Sequence, residues 1–201
     1  MSEKIEFDAV FKEYRHKILH YVKRLAGETD AEDIMQEVFE KAGRGLDGFK
    51  GESKISTWLY RIATNTALDK IRSSTHKHET EELRPEAEDT ENVSISGRAR
   101  IDQSLIRKEM SDCVREYIER LSPEYKTVII LSELEGFKNR EIAEILRVSL
   151  DTVKIRLHRA RTKLKKELDE GCEFYHNEQN TLSCDRKDSG LIPLKPTKKK
   201  S

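Results

Sequence analysis

FKNREIAEILRVSLDTVKIRLHRAR, residues 137–161, combines a helical apolar face with a dense row of basic residues. Ile142, Ala143 and Leu146 give a short first helix, opened by Lys138 or Asn139, one apolar face. Val148 is placed to plug a turn and Ser149 to cap the next helix. Val153 and Leu157 then face inward from this second helix, and the small Ala143 lets it cross closely. Two short helices joined this way form a helix-turn-helix, whose second helix enters the major groove N-terminal end first. Its outward residues are Thr152, Lys154, Ile155, Arg156, His158 and Arg159, with Arg161 following. Lysine and arginine there reach guanine edges or phosphates, and the helix N-terminus itself favours a phosphate. A basic amphipathic helix alone is more often a solvated surface; the short preceding helix and the Ala143, Val148, Val153 pattern favour DNA. Arg147 holds the turn position often taken by glycine, and is expected to adopt it without a positive φ or to add a phosphate contact.

The composition of the whole chain suits small helical units. It has 201 residues, 38% charged and 35% hydrophobic, with a formal net charge of zero. Neutrality hides segregation: residues 138–166 hold ten Lys/Arg against three Asp/Glu, whereas 76–92 hold seven acids against two bases. Such asymmetry points to a nucleic-acid face. Cys113, Cys172 and Cys184 are too few for a disulfide framework, which fits a reducing compartment. No signal core opens the chain, and no apolar run approaches the ~20 residues of a membrane span, so no membrane insertion and a cytoplasmic location are expected.

Upstream, Phe7, Val10, Phe11, Tyr14, Ile18, Tyr21, Val22 and Leu25 define one helical face closed by Gly27. Asp30 can cap a second helix to about Ala42, with Ile34 and Val38 inward. A glycine-rich loop follows, and Ser53 or Ser56 starts a third helix in which Trp58, Leu59, Ile62, Ala63, Thr66, Leu68 and Ile71 recur periodically. Residues 73–99 are polar and acidic, a composition that cannot bury enough apolar area to order itself. A second helical block begins near Arg100, with Ser122 and Pro123 marking a helix start. No strand alternation appears anywhere. The fold class is all-α: two small helical domains joined by a flexible acidic linker, at 5–74, 75–100 and 101–170, with a flexible extension over 171–201.

DAEDIMQEVFEKA (30–42) followed by FKGESKISTWLYRIATNTALDKIR (49–72) closely resembles region 2 of bacterial sigma factors of the extracytoplasmic-function (ECF) group. LSPEYKTVIILSELEGFKNREIAEILRVSLDTVKIRLHRARTKLKKEL (121–168) resembles their region 4. Two separate signatures in this order, with only a short acidic linker between, make the resemblance specific over about residues 5–170. It implies a sigma factor that binds core RNA polymerase and directs it to promoters, reading −10 and −35 elements, and it implies no enzyme.

By the same resemblance the second helix docks on the polymerase clamp through Asp33, Gln36, Glu37 and Glu40, with Phe39 beside them. The loop and third helix become the −10 reader, through Phe49, Lys50, Lys54, Arg61 and Asn65. Trp58 is read as core rather than as a base platform. The −35 reader takes Thr152, Lys154, Ile155, Arg156, His158, Arg159 and Arg161, with Ile155 able to touch a thymine methyl. Expected partners are core RNA polymerase, promoter DNA and an anti-sigma factor, since such factors commonly clamp this group. The alternative is a free-standing helix-turn-helix regulator, which would need neither the region 2 helices nor the acidic tether. No cofactor is expected. Cys172, His176 and Cys184 could supply three ligands of a zinc site in the extension, with Cys113 or Asp185 as a fourth if the fold brings one close, but ordinary cytosolic cysteines are the preferred reading.

Overall fold

The computed structural model describes residues 6–80, 113–176, 180 and 182–187. The acidic run beyond residue 80, the apolar positions Ile101, Leu105 and Ile106, and the basic end of the chain lie outside the described residues. The described parts fall into two compact units, one drawn from Met1–Asn92 and Ser122–Ala160, the other from Val93–Leu121 and Arg161–Ser201.

The first unit begins with α1 (Phe7–Ala26), α2 (Ala31–Gly45), a 3-10 turn (Leu46–Gly48) and α3 (Ile55–Thr80). The apolar stripes read from sequence meet in one core: Ile18, Tyr21, Val22 and Leu25 from α1, Ile34, Val38 and Ala42 from α2, Leu59, Ala63 and Ala67 from α3. Alanine on α3 lets the three helices approach closely. A buried polar chain runs through the core: the Tyr21 hydroxyl lies 2.7 Å from Thr64 Oγ1, which donates to the Tyr60 carbonyl at 2.7 Å. That satisfies hydroxyls whose burial without partners would cost free energy. Gly27 ends α1 at φ 96°, where its N–H donates to the Lys23 carbonyl. Neither Ser53 nor Ser56 starts α3; Lys54 precedes the first turn, and its carbonyl accepts from Trp58 N–H at 3.1 Å. The helix also runs to Thr80, into residues expected to be linker.

Past α4 (113–119), which belongs to the second unit, the chain re-enters the first unit with α5 (Pro123–Ile129). Pro123 takes the first position of α5, which runs on as a π-helical turn (Ile130–Leu134) and stops before Gly136 at φ 73°. Wide i→i+5 turns are rare and recur at functional sites. Then come α6 (Asn139–Leu146) and α7 (Leu150–Gly171). Helices α3 and α6 pack against each other. Helices α1–α3 and the helix-turn-helix fall within one compact unit.

The second unit holds α4, the last turns of α7, and two strands, β1 (Cys172–His176) and β2 (Leu182–Arg186). The strands pair antiparallel, Cys172 opposite Arg186 and Phe174 opposite Cys184. This hairpin departs from the expectation of an extension without strands. Cys172 and Phe174 do alternate with Glu173 and Tyr175, but over five residues, and the polar positions around them mask the period.

Candidate nucleic-acid interface

Local chemistry builds the helix-turn-helix. The Lys138 N–H donates to Glu141 Oε2 at 2.9 Å, so the third residue of α6 reaches back to close its first turn. Ser149 Oγ accepts from Thr152 N–H at 3.1 Å and caps α7 as expected. Between them Arg147 sits at φ 52°, ψ 45°, in the left-handed region. The expectation of a turn without positive φ is therefore overturned: the helix must reverse within three residues, and one must adopt this conformation. Behind the turn, Ile142 and Ile145 of α6 and Val153, Leu157 and Ala160 of α7 are all buried. Sequence reasoning passes over Ile145 in favour of Leu146, which is half-buried, although the offset of three from Ile142 is visible.

The opposite face of α7 presents Lys154, Ile155, His158, Arg159 and Arg161 to solvent. Ile155 stands 50% exposed, unusual for a branched apolar side chain in the middle of a charged surface. Two predicted contacts are placed differently. Thr152 is half-buried, its hydroxyl 2.8 Å from that of Ser149, so it belongs to the cap. Arg156 leans toward α5 and pairs with Glu124 at 3.3 Å. Lys154 pairs with Asp151 at 3.1 Å, an exposed one-turn contact that a phosphate can replace cheaply.

On α3 and the loop before it, the Phe49 and Trp58 rings lie 5.3 Å apart. Trp58 is half-buried rather than core, its ring against Gly45, where a Cβ would come within 3.3 Å. Lys50 and Asn65 are exposed. Arg61 is half-buried, with its Nε enclosed and without a hydrogen-bond partner. Lys54 forms an ion pair with Glu141 of α6 at 2.8 Å. That hydrogen bond raises the lysine pKa and, joined by the Lys138 N–H, lowers the glutamate's. Asn65 lines a cleft of 420 Å³ with Leu68 and Arg72 on one side and Pro123, Leu146 and Arg156 on the other.

A second contact between these elements leaves no trace in the sequence. Glu135, just after the π-helical turn, accepts from Arg24 Nη1 at 2.7 Å through one oxygen and from the Tyr60 hydroxyl at 2.7 Å through the other. Burial, then the Glu135 hydrogen bond, push the Tyr60 phenol well above its usual range. Phe137 meets the Tyr60 ring edge-on, centroids 4.7 Å apart.

The outer face of α2 presents Asp33, Gln36, Glu37 and Glu40, all exposed. Gln36 donates to Glu40 at 3.2 Å, and Glu37 pairs with Lys41 at 2.7 Å. Phe39 does not join them. It is 4% exposed and packs edge-on to Phe11 at 4.8 Å, since one residue along from the polar stripe the helix has turned toward the core.

Comparison with known proteins accounts for this arrangement. The family model for sigma-70 region 2 matches residues 10–77, and that for sigma-70 region 4 matches residues 111–164. The chain is 37% identical over 161 residues to the ECF RNA polymerase sigma factor SigW of Bacillus subtilis, covering 77% of this chain and 84% of that protein. It is 33% identical over 171 residues to the ECF RNA polymerase sigma-E factor of Haemophilus influenzae, covering 83% and 89%. Among solved structures, the sigma factor RpoE of Bartonella quintana, crystallised with the anti-sigma factor NepR, shares the fold at a TM-score of 0.61 and 22% identity, over 81% of this chain and 96% of that one. The region 2 match decides against a free-standing helix-turn-helix regulator, and the chain belongs to the ECF group of sigma-70 RNA polymerase sigma factors.

Proposed function

We propose that this sigma factor reads the −35 element with α7 and the −10 element with α3 and its preceding loop, while α2 docks on core polymerase. The observation that carries the reading is the outward face of α7. Lys154, Ile155, His158 and Arg159 stand exposed directly opposite the buried Val153, Leu157 and Ala160, with the helix N-terminus leading. Arg159 and Lys154 serve base edges and phosphates, and Ile155 serves a thymine methyl. Arg156 and Arg161 serve the backbone; Arg156 exchanges Glu124 for phosphate, and Thr152 shapes the helix start.

For the −10 element, the Phe49–Trp58 pair offers a stacking surface beside Lys50, and Asn65 offers an amide to a base edge. Lys54 and Arg61 are the phosphate partners. On α2, Asp33, Gln36, Glu37 and Glu40 form the polymerase-facing surface and Phe39 holds it from beneath. The chain acts in the cytoplasm, where polymerase is, and its two promoter-reading parts offer an anti-sigma factor a site to hold.

Run-off transcription with core polymerase tests this. Initiation from a cognate promoter is expected, and it should fall at least about tenfold with Arg159→Ala. Failure of the chain to join core polymerase sinks the reading. Full activity with Asp33, Gln36, Glu37 and Glu40 all replaced by alanine sinks the docking assignment alone.

A further inference from the structure

The three cysteines stand at positions 113, 172 and 184, and the fold of the second unit brings all three thiols together. Cys113 lies in α4, Cys172 opens β1 and Cys184 lies in β2. In the hairpin register Cys184 faces Phe174, two residues from Cys172, so both cysteines lie on one face as diagonal neighbours. The three sulfur atoms are within 4.8 Å of one another, with Cys113 and Cys172 at 3.9 Å.

The surroundings are built to hold that arrangement. Cys172 is buried, and its thiol donates to the Tyr117 hydroxyl at 3.6 Å. Tyr117, one turn beyond Cys113 on α4, lies so close to Gly171 that a Cβ there would collide with the hydroxyl oxygen. A side chain at 171 would therefore have to displace the Tyr117 ring from its place beside Cys172. Arg186, opposite Cys172 across the strands, pairs with Glu116, and the neighbouring Cys113 thiol adds to the rise of its pKa.

We infer that Cys113, Cys172 and Cys184 form a three-thiolate site for one thiophilic metal ion, of the Zn(II) or Cu(I) class. With zinc–sulfur bonds of about 2.3 Å, two thiolates on one tetrahedral ion sit about 3.8 Å apart, close to the 3.9 Å between Cys113 and Cys172. A disulfide would need its sulfurs at about 2.05 Å and would leave the third thiol over. Soft thiolates select these ions over magnesium or calcium. On binding, three S–H bonds are replaced by three metal–sulfur bonds and three protons leave to solvent. The resulting anionic centre is offset by Arg186.

His176 shares the hairpin face with Cys172 and Cys184 but is outside the sulfur cluster, so Cys113 takes the place that sequence spacing gave to histidine. The fourth position is left to water or an external donor. An ion here ties the hairpin to α4. Because Cys113 precedes and Cys172 follows the helix-turn-helix in the chain, it also closes a loop around that segment.

The test uses the full chain, reduced and stripped of metal, titrated anaerobically with zinc and separately with Cu(I) against a chromophoric chelator. Expected is one ion per chain, with all three thiols protected from alkylation. Cys113→Ser, Cys172→Ser and Cys184→Ser should each weaken binding by about a hundredfold or more, and His176→Ala should not. Cobalt(II) loading of the wild-type chain, read by thiolate-to-metal charge-transfer absorption, checks the ligand set without a substitution. Binding well below one equivalent, unchanged affinity in any single cysteine variant, equal loss in His176→Ala, or no charge-transfer band would each overturn the assignment.

Discussion

Tyr60 of α3 donates its hydroxyl hydrogen to Glu135 at 2.7 Å while Arg24 of α1 holds that carboxylate's other oxygen, and the glutamate side chain is only 10% exposed. One nearly buried acid thus links region 2 to the segment leading into the helix-turn-helix. Glu135→Ala leaves both donors without their acceptor and should cost about 2–3 kcal/mol, whereas Tyr60→Phe should cost about 1 kcal/mol. Urea unfolding checks both, and equal, negligible effects would show that the contact holds nothing.

The Lys54–Glu141 pair has an acid-side signature. Glu141's pKa is lowered below 4.5, so its contribution is present above the unfolded value and lost as pH falls through the folded one. Stability should therefore decline below about pH 4.5, and Glu141→Gln should flatten that limb of the curve. At neutral pH the glutamine variant loses the ion pair and weakens the first turn of α6. Chemical denaturation across the acid range up to neutrality would show it.

Arg147 carries the strain of the turn at φ 52°. Glycine accepts that conformation without a steric penalty, so Arg147→Gly should stabilise the chain by up to about 1 kcal/mol, net of glycine's greater entropy when unfolded. A rise in Tm is the readout; a fall would mean that the arginine side chain contributes more than its backbone costs.

On α7, neighbouring positions should separate reading from folding. Leu157→Ala removes a buried side chain and should cost about 2–5 kcal/mol. Ile155→Ala, at a half-exposed position, should leave stability within about 0.5 kcal/mol. It should relax base preference at one position of the −35 element, as measured by competition binding with substituted promoter fragments.

Phe39 and Glu37 make the corresponding pair on α2. Phe39→Ala opens a cavity against Phe11 and should cost about 3–5 kcal/mol. Glu37→Ala should leave the melting curve nearly unchanged and lower affinity for core polymerase.

Most of the first unit is legible in the sequence because long amphipathic periods survive substitution: the stripe of α1 from Val10 onward, that of α2 and the Val153, Leu157 face of α7 are where the spacing puts them, while Phe7 at the start of α1 is exposed. The Ser149 cap and the proline start of α5 are equally plain, since each rests on local chemistry. What stays hidden depends on meetings between distant residues. Nothing in the string joins Arg24 and Tyr60 to Glu135, or Lys54 to Glu141. A single charged residue carries no period, and pairing cannot be read from one chain. Arg147 conceals its conformation because geometry, not residue type, forces it. Phe39 differs from its expected place by one step around the helix. Cys113 can be read only as a possible extra ligand, because hairpin register, invisible at five-residue length, is what aligns Cys172 and Cys184 beside it.

Lys54 bears on how much of this protein is ready to work. In the structure it is engaged by Glu141, while Asn65 lines a cleft walled by Leu146 and Arg156. Residues assigned to the −10 element are therefore partly occupied by the module assigned to −35. If only a fraction of molecules is parted at any moment, the apparent affinity for promoter-bound polymerase is reduced by that fraction. Every ~1.4 kcal/mol holding α3 to α6 lowers the competent population tenfold. Glu135, through Tyr60, and Glu141, through Lys54, are the two acids that would set that fraction.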